Sequence, residues 1–137
     1  MYAFTDLNWL HILVATIAYF ALGAIWYSFL FQKPWIRYQK IDTSNPGARK
    51  GAGMIMLVGF IWTFIMVTGI AVLVSRIPLY GGVLSGLKLG LTMGILSALA
   101  ISMTYLYLKR PPGLHLIDGL YHVLGQIIAA IILVVWK

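Results

Sequence analysis

Asp118, His122 and Gln126 follow one another at four-residue intervals, with His115 about one turn earlier, in a chain that holds only 3 acidic residues. On a helix that spacing aligns the side chains along one face. A carboxylate and an imidazole so placed can exchange a proton or hold a cation together, as such chains do inside transporters. A quieter arrangement uses the same residues. Asp118 would sit in the first turn of a helix, where the dipole favours an anion, and pair with Lys109 or Arg110. His122 and Gln126 would then hydrogen-bond to neighbouring helices. The sequence favours this second arrangement, because acids at helix starts and polar contacts between helices are commoner than proton relays. Lys88 is the other ionisable residue set deep in apolar surroundings. Its position about one and a half turns inside its segment favours snorkelling to the headgroups over lining a pore or binding a substrate.

No other chemistry-bearing pattern stands out. His11 is isolated and reads as a satisfied interfacial residue. No His-x-x-x-His spacing, Walker loop, nucleophile elbow or dinucleotide fingerprint occurs, and there is no cysteine. The expectation is therefore no catalytic residue, no metal, no cofactor and no enzymatic activity.

The elements that position these residues are membrane spans. The chain has 137 residues, 61 % hydrophobic and 9 % charged, with a mean hydropathy of +0.92. Those values lie far from the soluble globular range, in which about a quarter of residues are charged. One all-α domain covering residues 1–137 is expected, a bundle of four transmembrane helices over about 7–31, 53–74, 83–108 and 116–136. The run from Leu7 to Phe31 contains no Lys, Arg, Asp or Glu, and no positive residue precedes it. It reads as a retained helix rather than a signal peptide.

The first connector, Gln32 to Lys50, carries Lys33, Arg37, Lys40, Arg49 and Lys50 around the turn-forming run Asp42-Thr43-Ser44-Asn45-Pro46-Gly47. Residues 35–41 within it alternate aromatic and basic side chains as either an interfacial helix or a solvated connector would. Lys109-Arg110-Pro111-Pro112 ends the third span, since proline cannot continue a helix. The positive connectors after the first and third spans fall on one side of the membrane, which places both termini on the non-cytoplasmic side. The formal charge of +7 is then matched to membrane lipids and not to nucleic acid. Trp62, near the middle of the second span, is expected between helices, and Tyr27, Tyr105, Tyr107 and Tyr121 in an interfacial belt.

The third span carries a stripe of small residues at every fourth position: Gly82, Gly86, Gly90, Gly94, Ala98 and Ser102. In lipid, small residues let two helix backbones approach closely, so the stripe is expected to be a packing seam. A four-residue step overshoots a helical turn by about 40°. The stripe therefore predicts one neighbour near Gly86, Gly90 and Gly94 and a different one near Ala98 and Ser102.

These residues also carry a resemblance. Asn8-Trp9-Leu10, Gly23-Ala24-Ile25-Trp26-Tyr27-Ser28 through Phe31-Gln32-Lys33-Pro34-Trp35, and Leu116-Ile117-Asp118-Gly119-Leu120-Tyr121-His122 before a final Val135-Trp136-Lys137 resemble the membrane family called domain of unknown function 1761. The resemblance implies a small, mainly bacterial four-helix protein of the cytoplasmic (inner) membrane, and it implies no activity. Lys88 and Gln126 depart from the family's pattern.

Two functions follow as expectations. The first is a structural or accessory membrane protein that associates through the glycine-striped helix, as a homo-oligomer or as a subunit of a larger complex. The alternative is an oligomeric channel or transporter for a small ion or small solute, with Lys88 or the face of Asp118, His122 and Gln126 lining its path.

Overall fold

The computed structural model describes residues 7–27, 52–77 and 80–136. Four helices account for nearly all of them: α1 (Trp9–Ile25), α2 (Ala52–Arg76), α3 (Val83–Tyr107) and α4 (Pro112–Val135). The whole basic first connector, residues 32–50, lies outside the described residues, as does the part of the first span beyond residue 27.

Each helix boundary has a local cause. Asn8 caps α1, its side-chain oxygen accepting from the backbone N–H of Leu10 at 3.1 Å and of His11 at 3.3 Å. Gly82 precedes α3 at φ +59° and ψ −128°, a region essentially reserved for glycine. Gly82→Ala is expected to cost about 1–2 kcal/mol, read as a fall in the midpoint of equilibrium unfolding in mixed micelles. α4 begins at Pro112, four residues earlier than expected, with Pro111 as its cap. The two prolines that stop α3 thus start α4, because a ring-locked φ and a missing N–H are harmless in a first helical turn.

α2, α3 and α4 are each long and apolar enough to cross a membrane, and α1 is a shorter apolar helix of 17 residues. At 1.5 Å per residue α1 alone covers about 26 Å. α4 is the axis of the bundle: 56 % of its most apolar window is buried, against 11 % for α3. α1 and α2 pack together on one side of α4, and α3 lies against α4 with little contact to the others. The core runs between α1, α2 and α4 through Ile12, Ala15, Tyr19, Val67, Ile70, Ala129, Ala130 and Leu133.

The stripe on α3 packs against α4 throughout its length. A Cβ at Gly86 would meet Ile131 Cα at 2.6 Å, and one at Gly94 would meet Val123 Cα at 2.6 Å. Between them, Gly90 faces Ile127 Cα and the Gln126 carbonyl oxygen. Ala98 then faces Gly119, and Ser102 hydrogen-bonds His115. The expectation of a second neighbour at Ala98 and Ser102 is corrected: both helices step by four in antiparallel register, so α4 follows the stripe. The 40° drift per step is absorbed by a change in contact type, from backbone on backbone at the glycines to side chain on side chain at Ser102. Gly82 is not part of the seam, since nothing lies within 4 Å of its added Cβ.

Two more glycines shape the junction of α1 with α4. The Tyr19 ring covers Gly125, and the Tyr121 ring covers Gly23. Each aromatic ring occupies space that a Cβ would fill. Trp62 points outward at 64 % exposure and does not pack between helices as expected. In lipid an outward indole is not penalised, so hydrophobicity alone cannot direct it inward.

Candidate intramembrane polar site

α4 presents Asp118, His122 and Gln126 inward along one face, and each is met by a hydroxyl from another helix. Asp118 Oδ1 accepts from the Tyr27 hydroxyl at 2.5 Å, just beyond α1. Its Oδ2 accepts from the Tyr105 hydroxyl of α3. His122 Nδ1 and the Tyr19 hydroxyl of α1 are 2.5 Å apart. Gln126 Nε2 donates to Ser97 Oγ of α3 at 2.6 Å. One turn before Asp118, His115 Nδ1 lies 2.6 Å from Ser102 Oγ. The indole N–H of Trp26 donates to the Ile117 carbonyl oxygen at 2.9 Å. No buried side-chain N or O among the described residues lacks a partner, as a low-dielectric interior requires.

The sequence correctly aligns Asp118, His122 and Gln126 on one face, but the placement of Asp118 is corrected. It lies in the second turn of α4, beyond the strongest part of the helix dipole. Its partners are phenols and not Lys109 or Arg110, both of which are exposed at the turn between α3 and α4. The reason is steric: with α4 starting at Pro112, Asp118 points into the bundle while the basic pair stays at its rim. Lys88 is exposed on α3, away from the glycine seam and from the Asp118 face. Snorkelling fits that position, and the structure does not join Lys88 to the other polar residues. His11 stacks on Trp136 with ring centroids 3.9 Å apart.

Tyr19, Tyr27, Tyr105 and Ser97 are the partners that sequence reasoning did not pair with the α4 face. Tyr27 and Tyr105 were expected in an interfacial belt, and the structure turns their hydroxyls inward to the carboxylate. Tyr121 is also inside, its ring edge-on to Tyr19 and Tyr27 with centroids 5.4 Å away in both cases. Tyr107 remains outward, at 84 % exposure. A usable signal was present: a phenol near the end of a span can lie level with an acid near the start of the next.

A cleft of about 720 Å³ opens onto this group. It is lined by Tyr27, Ile55, Met56, Ile101, Thr104, Tyr105, Asp118 and His122, so all four helical segments contribute a wall. The lining residues lie toward the end of the bundle where α3 finishes and α4 begins. From Asp118 to Gln126 the polar ladder runs about 12 Å along α4. Past Gln126 the interior closes with Ile12, Ala15, Ala129, Ala130 and Leu133. Among the described residues no group of three or more His, Cys, Asp or Glu could hold a metal ion.

Fold and site together define a class: a helical membrane protein whose central helix carries a buried, tyrosine-capped polar ladder open at one end. The chain belongs to the family described as protein of unknown function DUF1761, whose model matches residues 10–134 and so takes in the glycine seam and the whole ladder. No curated protein and no solved structure matches the chain.

Proposed function

We propose that this membrane protein handles a small ion or small solute at the Asp118–His122 cleft, as the unit of an oligomeric channel or transporter. The carrying observation is that the cleft opens onto a buried carboxylate. Helices can be joined through hydroxyls and amides alone, as Ser97 and Gln126 do here. A carboxylate inside a membrane is far more costly than those groups and marks a functional position by default. The oligomeric element of the reading is supported by the end of the ladder at Gln126, because one chain does not carry a polar track from face to face. No step of this reading makes or breaks a covalent bond, and we do not propose an enzyme.

Vesicles reconstituted with the purified chain test this. The expected result is flux of one class among protons, monovalent cations and small anions above that of protein-free vesicles, reduced at least tenfold by Asp118→Asn. Unchanged flux for all three classes, or flux indifferent to both Asp118→Asn and His122→Ala, would count against it.

A structural or accessory role is the second reading. It is favoured by α3 resting mainly on α4, with most of its circumference left to lipid or to another chain. The glycine stripe no longer motivates it, because that seam is occupied within the chain. A protein that is strictly monomeric in detergent and captures no partner on crosslinking in native membranes would remove this second reading.

A further inference from the structure

The chemistry of the cleft selects for charge, and the selection follows from what does and does not surround Asp118. Each carboxylate oxygen accepts from a phenol. Among the described residues, no cationic side chain pairs with it. The groups beside it in the cleft are Tyr27, Tyr105 and the His122 imidazole, whose Nδ1 is engaged with Tyr19, while the exposed Arg110 lies near enough to Tyr105 to act on it electrostatically from the rim. Two bonds leave lone-pair directions on the carboxylate unused, and Asp118 lines the cleft rather than being sealed behind it.

The remaining walls narrow the choice of cation. Ile55, Met56 and Ile101 are apolar, and Tyr27 and Tyr105 bring aromatic rings. A bare metal ion needs several oxygen or nitrogen ligands converging on one point, and among the described residues no group of three or more His, Cys, Asp or Glu converges here. A cleft of about 720 Å³ is also far larger than a bare ion requires. An ammonium carried on an apolar body satisfies both halves of the lining. Its charge is met by the carboxylate and by aromatic faces, which attract cations through their quadrupole, and its carbon skeleton is met by the isoleucines and Met56. We infer that the Asp118 cleft binds a monovalent organic ammonium ion with an apolar body. This inference rests on the reading of the cleft as a solute site and adds its specificity.

Calorimetric titration of the full chain in lipid nanodiscs with benzyltrimethylammonium tests it, with neopentylbenzene as the neutral isostere and benzenesulfonate as the anion. The expected result is saturable binding of the ammonium at least tenfold tighter than either control. Asp118→Asn, which preserves shape and one acceptor oxygen, should weaken it at least tenfold. Because a substitution at a buried site can disturb folding, Met56→Lys is the second variant: Met56 is 56 % exposed, and a lysine there places a tethered ammonium in the cleft. It should abolish binding while leaving the helical content unchanged. Binding of the isostere or of benzenesulfonate as tight as that of the ammonium, with neither variant having an effect, overturns the cation assignment and leaves a solute site of other specificity. Absence of saturable binding by all three probes overturns the ammonium assignment, while the flux assay in vesicles decides the underlying solute-site reading separately.

Discussion

Gly90→Leu is expected to detach α3 from α4, with a loss of about 3 kcal/mol or more in folding free energy. Even the first carbon of the new side chain collides with main chain, because its Cβ would fall on Ile127 Cα and lie 2.7 Å from the Gln126 carbonyl oxygen. Backbone atoms of a helix cannot rotate aside as the end of a flexible side chain can. The two axes must therefore separate, and the neighbouring contacts at Gly86 and Gly94 separate with them. α3 has no other substantial contact in the chain to hold it. The comparison is Leu91→Ala one residue away, at a side chain 41 % exposed. A leucine facing lipid gains little from its hydrophobicity, since lipid tails are as apolar as it is, so this change should cost less than about 0.5 kcal/mol.

Two measurements separate these outcomes. Equilibrium unfolding in mixed micelles gives the free energies. The chain has no cysteine, so an introduced pair, Ala98→Cys with Gly119→Cys, reports the seam without background. A Cβ built at Gly119 lies 3.2 Å from that of Ala98, close to the separation that a disulfide spans. The pair should oxidise readily in the otherwise unchanged chain and fail to do so when Gly90 is leucine. Equal free-energy costs for Gly90→Leu and Leu91→Ala would mean that the seam lies elsewhere.

The same seam shows how far this sequence can be read directly. The four helices were legible because unbroken apolar runs between charged connectors have one stable solution in lipid. The bounds of α2 and α3 lie within two residues of the expected spans, α4 starts four residues early at Pro111-Pro112, where a stop signal and a start signal are the same residues, and the expected end of the first span at Phe31 lies outside the described residues. The stripe was legible as a seam because glycine every fourth residue serves no other purpose in a membrane helix. Its partner was not, since α4 answers it with Val123, Ile127 and Ile131, whose backbones make the closest contacts. The alignment of Asp118, His122 and Gln126 followed from helical period alone. Their hydroxyl partners did not, because tyrosines near span ends are ordinary in any membrane protein and the pairing depends on the relative heights of three helices. Outward Trp62 failed for a related reason: hydropathy sorts residues between water and lipid but does not sort inside from outside within the lipid.

Truncation at the head of the ladder, Asp118→Ala, should cost about 2–3 kcal/mol, and about 1 kcal/mol less when Tyr105→Phe is already present. Magnitudes decide which effect dominates. Hydrogen bonds to charged groups contribute about 1.5–3 kcal/mol each, whereas side-chain bonds between helices in bilayers average only about 0.6 kcal/mol. Tyr105→Phe removes one hydroxyl from Asp118 while retaining the ring, which packs edge-on to His115 with centroids 5.6 Å apart. It should cost about 1 kcal/mol, near the membrane average. Asp118→Ala costs more because it strands two phenols at once, those of Tyr27 and Tyr105, in a place where replacement acceptors are scarce. In the Tyr105→Phe background only one phenol remains to be stranded, so the two changes should couple by about 1 kcal/mol in a double-mutant cycle. Asp118→Asn should cost less than Asp118→Ala, since its carbonyl oxygen still accepts and its amide can donate to the other phenol. Stability measured by unfolding in mixed micelles would then separate the two roles of this carboxylate. Hydrogen bonding would survive largely intact in Asp118→Asn, while the charge that the cleft presents to a cation would be gone. Strict additivity of Asp118→Ala and Tyr105→Phe would show that the phenol and the carboxylate do not act as a pair.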